Sequence, residues 1–477
     1  MDGLTQVPVG VLRTERFRDA LSPERYEMFA AGVGRARELF EGRAIWNINS
    51  TARGGGVAEM LRSLLAYARG AGIDARWIVI PGNADFFRVT KRLHNQLHGA
   101  PGDGGPLGRA EHAIYDRTLE RPAAELAELV RPEDVVIVHD PQPAGLCRVL
   151  VDRGAAVLWR CHVGLDRPNG VARGAWSFLR DYVDPAHGYV FSRRAFVWEG
   201  LEDDKITIIP PSIDAFSPKN QDLSDEAVRA ILDAAAIVPD GGDAVPAFVR
   251  EDGAPARVDR SADMIEDDPV PVDARLVVQV SRWDRLKDPL GVIRGFAGAI
   301  APSVDDVHLV VAGPSVAAVA DDPEGAEVLE EARREWAGLP AELKRRVHLA
   351  CLPMEDGEEN AAIVNALQRR ADVIVQKSLA EGFGLTVAEG MWKARPVVAS
   401  RIGGIQDQIQ DGETGVLVDD PQDLEAYGRA VVGLLADPEA AASMGRRAQE
   451  KVRNEFLGAR HLMQYVELIG GLPGPRG

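Results

Sequence analysis

The chain is poor in cysteine, has no surplus of positive charge and has no long apolar run. Its cysteines, Cys147, Cys161 and Cys351, lie far apart without metal-ligand spacing, which argues against a disulfide framework or a zinc site. The formal net charge of −18 argues against a general nucleic-acid or anionic-membrane binder, because phosphate contacts need clustered Lys and Arg. No apolar run reaches about 18 residues, and MDGLTQVPVG lacks the features of a signal peptide. We therefore expect a cytoplasmic protein.

Two common nucleotide-binding motifs and a metal-binding cluster are also missing from the sequence. The glycine-rich turn at 54–56 has neither the G-x-G-x-x-G pattern of dinucleotide-binding proteins nor the lysine of a P-loop. The acidic doublets lie in the segment 219–273 or on predicted helices, where solvated faces are their usual role. The sequence therefore indicates no metal site.

Length and composition indicate a globular protein of more than one domain. The 477 residues are 45% apolar and 27% charged, and this length suggests about three domains or two large ones. Predicted strands alternate with predicted helices, which favours α/β domains with doubly wound parallel sheets. We expect an N-terminal appendage (1–43), a first domain (44–218), a linker or insertion (219–273), a second domain (274–455), and a C-terminal helix (456–477) that returns toward the first domain.

The stretch 371–400 predicts a strand, a glycine-bearing turn and a short helix. Free N–H groups and the macrodipole at such a helix start favour an anion. Glu381 precedes this helix and Glu389 lies within it, with seven residues between them. Carboxylates accept hydrogen bonds from the vicinal hydroxyls of a sugar or ribose, so the pattern fits a nucleotide sugar. The plainer alternative is a helix whose early Glu only complements the dipole.

A similar unit opens the first predicted domain. The strand Ala44–Asn49 is followed by glycines 54–56 and by an amphipathic helix from Val57. The glycines would let a ligand approach the backbone, and the helix start again favours an anion. The alternative is a tight turn with no ligand.

Polar residues follow several predicted strands, at the sheet edge where α/β proteins bind ligands. Considered singly, each is more typical of a loop cap or a turn, but their shared position makes them candidates as a group. In the first domain they are Asn49, Asp140, Gln142, His162 and Asp166. In the second domain, Arg282 and Lys287 follow the strand Leu276–Val280, and two cations there fit a pyrophosphate clamp.

The segment 219–273 interrupts the alternation of strands and helices. Its content of Asp, Pro and Gly is consistent with a disordered linker. Residues 249–258 instead predict a hairpin around the turn Asp252-Gly253. We expect an ordered surface insertion and assign it no function.

Six sequence blocks, taken in order, resemble a known enzyme family. They are IWNINSTARGGGVAEML, HDPQP, WRCHVGLD, IPPSID, QVSRWDRLKDP and EGFGLTVAEGMWKARPVVAS. They resemble the family 4 retaining glycosyltransferases, specifically the group of glycosyltransferring trehalose synthases and retaining trehalose phosphorylases. The spacing of Glu381 and Glu389 is similar to the E-x7-E signature of such enzymes. The resemblance covers nearly the whole chain from about Ala44, and it implies the GT-B fold of two Rossmann-like domains facing across a cleft.

The resemblance also implies roles in binding the donor. Arg282 and Lys287 would neutralise the pyrophosphate as it leaves, and Glu389 would hold the nucleotide ribose. Glu381 and the backbone after it would hold the transferred glucose and the distal phosphate. That backbone comprises Gly382, Phe383, Gly384, Leu385 and Thr386, and Gly54, Gly55 and Gly56 would approach the phosphates from the other domain.

On the acceptor side, the resemblance assigns His162 to contact with the transferred sugar. The acceptor-pocket candidates are Asn49, Asp140, Gln142 and Asp166. The catalytic set implied is Arg282, Lys287, Glu381 and His162. The segment 219–273 departs from the family pattern, which leaves acceptor specificity and oligomer contacts open.

The implied reaction is reversible transfer of glucose from UDP- or ADP-glucose to glucose, giving α,α-trehalose with retained configuration. NDP-glucose would be a co-substrate and no cofactor would be tightly bound; the sequence neither requires nor excludes Mg²⁺. The resemblance also implies front-face transfer without a protein nucleophile, and a homodimer. A trehalose phosphorylase using glucose 1-phosphate, a sugar-nucleotide epimerase and a non-catalytic nucleotide-sugar-binding protein are the alternatives.

Overall fold

The computed structural model describes residues 3–52, 55–316 and 323–472. These residues form two compact units. The first unit consists of two segments, one that ends at Ser212 and one that begins at Phe456. The second unit runs from Ile213 to Glu455. Each unit contains a largely parallel sheet packed with helices, as the alternation in the sequence predicted.

The first unit is built on a seven-stranded sheet, counted over the described residues. Its strands are β1 (Thr5–Val7), β2 (Ala44–Asn49), β3 (Asp74–Val79), β4 (Val135–His139), β5 (Ala156–Cys161), β6 (Gly188–Phe191) and β7 (Ile206–Ile208). They lie in the order β1-β3-β2-β4-β5-β6-β7, and all pairs are parallel except β1 with β3. The helices before Ser212 are α1 (Pro23–Leu39), α2 (Gly56–Gly70), α3 (Ala84–Leu97), α4 (Arg109–Leu129), α5 (Cys147–Asp152) and α6 (Gly170–Val183).

The central strands of this sheet are buried on both faces, but the two faces differ in chemistry. Side chains alternate between the faces of a strand. One face of β2, β4 and β5 places Trp46, Val138 and Trp159 in an apolar core. The alternate residues of the same strands include polar ones, and the register pairs His139 with Arg160 across β4 and β5. This face therefore places buried polar side chains near the carboxyl ends of the strands.

The second unit repeats this architecture. Its strands are β8 (Ala247–Val249), β9 (Pro255–Arg257), β10 (Asp263–Ile265), β11 (Arg275–Val280), β12 (Val307–Pro314), β13 (Val347–Leu352), β14 (Val373–Gln376), β15 (Val397–Ser400) and β16 (Val416–Val418). Its helices are α7 (Asp225–Ala234), α8 (Pro289–Gly295), α9 (Pro323–Ala337), α10 (Ala341–Lys344), α11 (Gly357–Arg370), α12 (Leu385–Trp392), α13 (Ile405–Gln408), α14 (Leu424–Ala436) and α15 (Pro438–Glu455). Among the described residues, seven strands form a sheet in the order β10-β13-β12-β11-β14-β15-β16.

The second sheet is parallel apart from the edge strand β10, which is antiparallel to β13. Val277, Leu309 and Val375 lie in the apolar core beside Trp283 and Tyr427, all less than 2% exposed. Runs of β-branched residues fit strands buried in this way. Strand ends after β11 and β14 are thereby fixed side by side, because both strands pair with each other.

The structure groups three parts of the chain differently from the predicted domain boundaries. The predicted appendage belongs to the first unit, since β1 pairs with β3 there. The second unit already begins at Ile213, and the segment 219–273 is part of it: β10 extends the second sheet, and β8 and β9 form the predicted hairpin. Sequence analysis did not predict strands β1 and β10. Each has only three residues and lies at the edge of its sheet, where a strand needs no apolar run.

The final helix, α16 (Gly458–Gly470), belongs to the first unit and packs on α1 and α2. Its His461 is completely buried and contacts Ser212 with an Nδ1···Oγ distance of 2.9 Å. Across the described ranges, no helix is both long and apolar enough to span a bilayer.

Candidate active site

A chain of three polar side chains lies at the carboxyl ends of β2, β4 and β5 in the first unit. The Asn47 Oδ1 lies 2.9 Å from His139 Nε2, and His139 Nδ1 lies 3.1 Å from His162 Nε2. The two imidazole rings stack with centroids 5.4 Å apart. Of the three, the sequence singled out only His162; Asn47 and His139 lie inside predicted strands, where nothing marks a polar residue as functional.

Asp140 follows directly after β4 in the left-handed region, with φ of 64°. Its Oδ1 accepts the backbone N–H of His162 at 2.8 Å, and its carbonyl accepts the indole N–H of Trp159 at 3.2 Å. Burial raises the pKa of Asp140 to about 6, against the opposing effects of the His162 N–H and the Arg160 charge. Asp140 therefore holds the loop that carries His162.

The other acceptor candidates differ in their surroundings. Asn49 is 5% exposed, and its amide is engaged internally: Oδ1 accepts from Trp77 Nε1 at 2.8 Å and Nδ2 donates to the Thr51 carbonyl at 2.7 Å. Asp166 forms an ion pair with Arg193 at 2.5 Å. Gln142 is half-buried in the loop after β4. The structure therefore brings Asp140 to His162, while Asn49 and Asp166 have partners of their own.

Sequence analysis missed two buried residues, Arg160 and His461, that lie near the hydrogen-bonded side chains of Asn47, His139 and His162. Arg160 is completely buried, and none of its three guanidinium nitrogens has a hydrogen-bond partner among the described residues. Burial, with a smaller contribution from the Arg160 charge, lowers the pKa of His139 to about 3 and that of His162 well below its ordinary value. Burial likewise lowers the pKa of His461, with smaller contributions from Arg460, Arg160 and His139. All three imidazoles are consequently neutral at physiological pH.

The glycine turn of the first unit precedes α2. Gly55 has a φ of 81°, which favours glycine, and a Cβ there would meet no atom within 4 Å. The exposed Gly56 begins α2, and no side chain caps the N-terminus of this helix. Gly54 lies outside the described residues.

In the second unit, Lys287 and Glu381 form an ion pair between their Nζ and Oε2 atoms. Lys287 ends the turn after β11 and Glu381 lies in the turn after β14, so the pairing of these strands brings them together. Both side chains are largely buried, with 18% and 11% exposure. Ser378 Oγ lies 3.4 Å from the same Glu381 oxygen, and Gln279 donates to the Lys287 carbonyl at 3.0 Å. The two residues predicted from separate motifs thus form one charged pair.

The turn between Glu381 and α12 is shaped by close backbone packing. Gly384 has a φ of 81°, which favours glycine, and it caps α12 without a side-chain hydrogen bond. A Cβ at Gly403 would lie 1.9 Å from the Glu381 carbonyl oxygen, and Gly404 N–H donates to the Gly382 carbonyl at 2.8 Å. The half-buried Leu385 and Thr386 then begin the helix beside the buried Phe383. First-turn amides have no partner within their helix, so this N-terminus can bind an anion.

Glu389 lies inside α12 and is 4% exposed. Its Oε1 is 3.6 Å from Lys219 Nζ. Its carbonyl accepts from the buried Lys393, whose Nζ also donates to Asn220 Oδ1 at 2.9 Å. Lys219 and Asn220 come from the segment predicted as a linker, so this segment supplies contacts around Glu389.

Arg282 is the most exposed of the predicted cations. Its side chain is 59% exposed and pairs with Asp284 at 3.0 Å. The sequence also missed the buried Lys377, which forms an ion pair with Asp288, the residue that caps α8. Lys377 directly follows β14, so its position at a strand end could have marked it.

The two units therefore carry different chemistry at their strand ends. The first has neutral imidazoles and a carboxylate that can bind hydroxyl groups. The second has the Lys287–Glu381 pair beside uncapped amides, which suits phosphate and sugar hydroxyls together. Within the described ranges, no group of three or more His, Cys, Asp or Glu is placed to hold a metal ion.

Comparisons with known proteins identify the relatives of this chain. Residues 47–198 match the family model "Trehalose synthase, N-terminal domain", and residues 262–451 match "Glycosyl transferases group 1". A trehalose synthase of Rubrobacter xylanophilus is 37% identical, over 96% of each chain. One of Pyrococcus horikoshii is 36% identical, over 92% of each chain. A trehalose phosphorylase of Grifola frondosa is 23% identical, over 85% of this chain and 54% of its own length.

Solved structures share the fold at low sequence identity. A UDP-forming α,α-trehalose-phosphate synthase from Burkholderia xenovorans has a TM-score of 0.67 at 16% identity, over 90% of this chain and 99% of that chain. A sucrose-phosphate synthase from Thermosynechococcus elongatus has a TM-score of 0.60 at 20% identity, over 89% and 98%. These matches confirm the predicted GT-B fold.

Proposed function

This chain belongs to the trehalose synthase family of glycosyltransferases, and on that premise we propose that it transfers glucose from NDP-glucose to free glucose. The products would be α,α-trehalose and NDP, in a reversible reaction. The arrangement that supports this most is the Lys287–Glu381 pair beside the uncapped amides of α12. A cation and amides suit the distal phosphate, and the carboxylate suits the hydroxyls of the sugar attached to it.

The second unit would bind the donor. Lys287 and Arg282 would contact the pyrophosphate, and the amides from Phe383 to Thr386 would contact its distal phosphate. Glu389, buried in α12, would accept hydrogen bonds from the ribose hydroxyls. Lys287 and Glu381 form an ion pair with each other, so a bound donor would replace that pair with a phosphate on Lys287 and a hydroxyl on Glu381.

The first unit would bind the sugars. His162 would contact the transferred glucose, while Asp140 and Gln142 would face the acceptor. Asn49 and Asp166 would act through their partners, because Asn49 already accepts a hydrogen bond from Trp77 and Asp166 already pairs with Arg193. The glycines at 55 and 56 would leave room for a phosphate to approach α2.

Transfer would proceed on one face of the donor sugar. The bond from the anomeric carbon to the phosphate oxygen breaks, and a bond forms from that carbon to the anomeric oxygen of the acceptor. The departing phosphate takes the acceptor proton, so no protein nucleophile is required. The charge that develops on this phosphate would be stabilised by Lys287, Arg282 and the α12 amides.

Phosphorolysis of trehalose is the second candidate function. The similarity to the Grifola frondosa trehalose phosphorylase favours it, because the same cation and amides would hold inorganic phosphate. That similarity is lower, at 23% identity against 37%, and it spans about half of the phosphorylase. We therefore place it behind transfer from a nucleotide sugar.

An end-point assay separates these functions. Purified protein is incubated with glucose and, in turn, UDP-glucose, ADP-glucose or glucose 1-phosphate, and released NDP, released phosphate and non-reducing disaccharide are measured. We expect trehalose from a nucleotide sugar only, and the same yield with and without EDTA. Trehalose from glucose 1-phosphate only would establish the phosphorylase, and conversion of the donor to a different nucleotide sugar without release of NDP would indicate an epimerase. Sedimentation of the same sample tests the homodimer that we propose.

A further inference from the structure

The side chains of Asn47, His139 and His162 form a hydrogen-bonded chain that ends at the ligand-binding edge of the first sheet. Asn47 is 3% exposed, His139 is 2% exposed and His162 is 8% exposed. His139 uses both ring nitrogens inside the chain, at 2.9 Å and 3.1 Å. His162 uses its Nε2 there, so Nδ1 is the ring nitrogen left to meet a ligand.

The side-chain amide of Asn47 determines which ring nitrogen of His162 carries the proton. The Asn47 Oδ1 can only accept, so His139 Nε2 carries the ring proton. A neutral His139 then has a lone pair on Nδ1, which accepts the Nε2–H of His162. A neutral His162 with its proton on Nε2 presents an unprotonated Nδ1.

The hydrogen bonds described above require neutral His139 and His162 rings, and the charge of Arg160 favours the neutral form of both. The completely buried Arg160 is paired in register with His139, and its guanidinium has no hydrogen-bond partner among the described residues. Protonation of either imidazole would place a second positive charge near the Arg160 guanidinium. Other titratable groups near these rings include Asp140, which accepts the His162 backbone N–H, the buried His461, and the buried Cys161 and Tyr465.

We propose that Asn47 and His139 are positioning residues for glucosyl transfer: they hold His162 as the neutral Nε2–H tautomer, so that Nδ1 accepts a hydrogen bond from a hydroxyl of the transferred sugar. This inference rests on the proposed function of the site for the sugar contact. The tautomer itself is a property of the free protein, so it can be tested separately.

The orientation of the Asn47 amide sets the direction of each hydrogen bond that links Asn47, His139 and His162. If the Asn47 amide were reversed, its Nδ2–H would donate to His139, His139 would donate to His162, and Nδ1 of His162 would become a donor. In the present arrangement the Nδ2 of Asn47 is the buried atom without a partner among the described residues. A change at Asn47 is thus passed on through His139 to the nitrogen that faces the ligand.

The direct test is the nitrogen spectrum of His162 in the full-length protein labelled with ¹⁵N-histidine. The chain has nine histidines, and the spectrum of His162→Gln identifies the resonances of His162. At neutral pH we expect a protonated Nε2 and an unprotonated Nδ1. A protonated Nδ1, or two nitrogens averaged by exchange, would overturn the proposal. This measurement needs no substrate and no Asn47 variant.

A pair of Asn47 variants tests the consequence for catalysis. Asn47→Asp keeps an acceptor toward His139, whereas Asn47→Leu has a similar shape and no acceptor. We expect Asn47→Leu to average the His162 signals and to lower kcat by on the order of tenfold, as loss of one hydrogen bond allows. Asn47→Asp should retain the tautomer and most of kcat. Equal loss in two folded variants, or no loss in either, would contradict the role.

The second unit supplies a matched control. His308 and His348 form a similar pair, with Nδ1 and Nε2 2.9 Å apart. His308→Gln should leave both the His162 spectrum and kcat unchanged. Were the protein to transfer no glucose at all, the proposed function would fail while the spectrum still reported the tautomer. Transfer by a protein with a protonated Nδ1 would refute the positioning role alone.

Discussion

Two stacked histidine pairs lie in the two sheets, with nearly the same geometry and different surroundings. His139 and His162 have ring centroids 5.4 Å apart at an angle of 13°, and His308 and His348 have centroids 5.2 Å apart at 19°. The first pair is bound by the Asn47 amide, and the second by the Glu266 carboxylate at 2.7 Å from His348 Nδ1. The geometry of a histidine pair therefore does not reveal its role.

The position of each pair on its strands separates them. His139 ends β4 and His162 follows β5, whereas His308 and His348 lie near the starts of β12 and β13. In open α/β sheets, ligands bind beyond the carboxyl ends of the strands. Glu266 directly follows β10, so the second pair links this edge strand to β13. From these positions we propose a role in function for the first pair and a role in stability for the second.

The largest effects should come from the ion pair at the strand ends of the second unit. We expect Lys287→Ala and Glu381→Gln each to lower turnover by on the order of 10²–10³-fold, because each removes a contact to developing charge or to the transferred sugar. Steady-state assays with circular dichroism check activity and folding together. Lys344→Ala is the control, since Lys344 pairs with Asp267 at 3.1 Å away from the strand ends. Wild-type turnover in either site variant would contradict the assignment.

The neutral histidines should make the protein sensitive to acid. His139, His162 and His461 have pKa values lowered by burial, so below about pH 6.5 the unfolded chain binds more protons and the free energy of unfolding falls as pH falls. The raised pKa of Asp140 opposes this between about 6 and 3.8, since there the folded state binds the proton. Each neutral histidine contributes a slope of up to about 1.4 kcal/mol per pH unit.

Urea unfolding at several pH values measures this slope. His461→Gln should reduce it by about 1.4 kcal/mol per pH unit below pH 6.5. His308→Gln should reduce it as well, but only down to about pH 4, because burial lowers the pKa of His308 to about 4. A slope unchanged in His461→Gln would show that this imidazole takes up its proton at the same pH in the folded and unfolded protein, and would contradict the lowered pKa.

The loop that carries His162 should depend on Asp140. Asp140→Ala leaves the His162 backbone N–H without its acceptor, which we expect to cost about 1–3 kcal/mol of unfolding free energy. Asp140→Asn keeps an oxygen acceptor and a residue that tolerates a positive φ, so its cost should be smaller. Denaturant titration of both variants gives the comparison, and equal costs would contradict the proposed role of the carboxyl oxygen.

The smallest effect should come from the second histidine pair. Glu266→Ala removes one hydrogen bond to His348, so we expect a loss of roughly 0.5–1.5 kcal/mol in unfolding free energy and no change in turnover. Thermal unfolding and the trehalose assay measure the two quantities. A clear loss of turnover would mean that this pair also acts in catalysis, and the distinction by strand position would fail.

The sequence predicted much of this architecture because the relevant signals are local. Apolar strands, glycine turns and helix starts identified both α/β units, and Lys287 and Glu381 were predicted as site residues because each follows a strand. Asn47, His139 and Arg160 were missed since they lie within strands, and a single sequence does not show which face of a strand meets polar partners. His461 is distant in the chain, so only the packing of α16 could place it beside Arg160.

Close packing explains the remaining differences. Gly403 and Gly404 support the turn after Glu381 through backbone contacts that no spacing rule indicates. Likewise, Lys219 and Asn220 approach α12 only because the segment from Ile213 folds onto the second unit. Both cases depend on contacts between parts of the chain that are far apart in sequence.

Tracing a labelled glucose unit tests the central claim most directly. The protein is supplied with unlabelled glucose and with UDP-glucose or ADP-glucose that carries ¹³C at the anomeric carbon, and the products are followed by NMR. We predict one labelled ring per α,α-trehalose, with an α linkage and one NDP released per disaccharide. Label found only in free glucose or in glucose 1-phosphate, or no transfer from either donor, would contradict the proposed reaction.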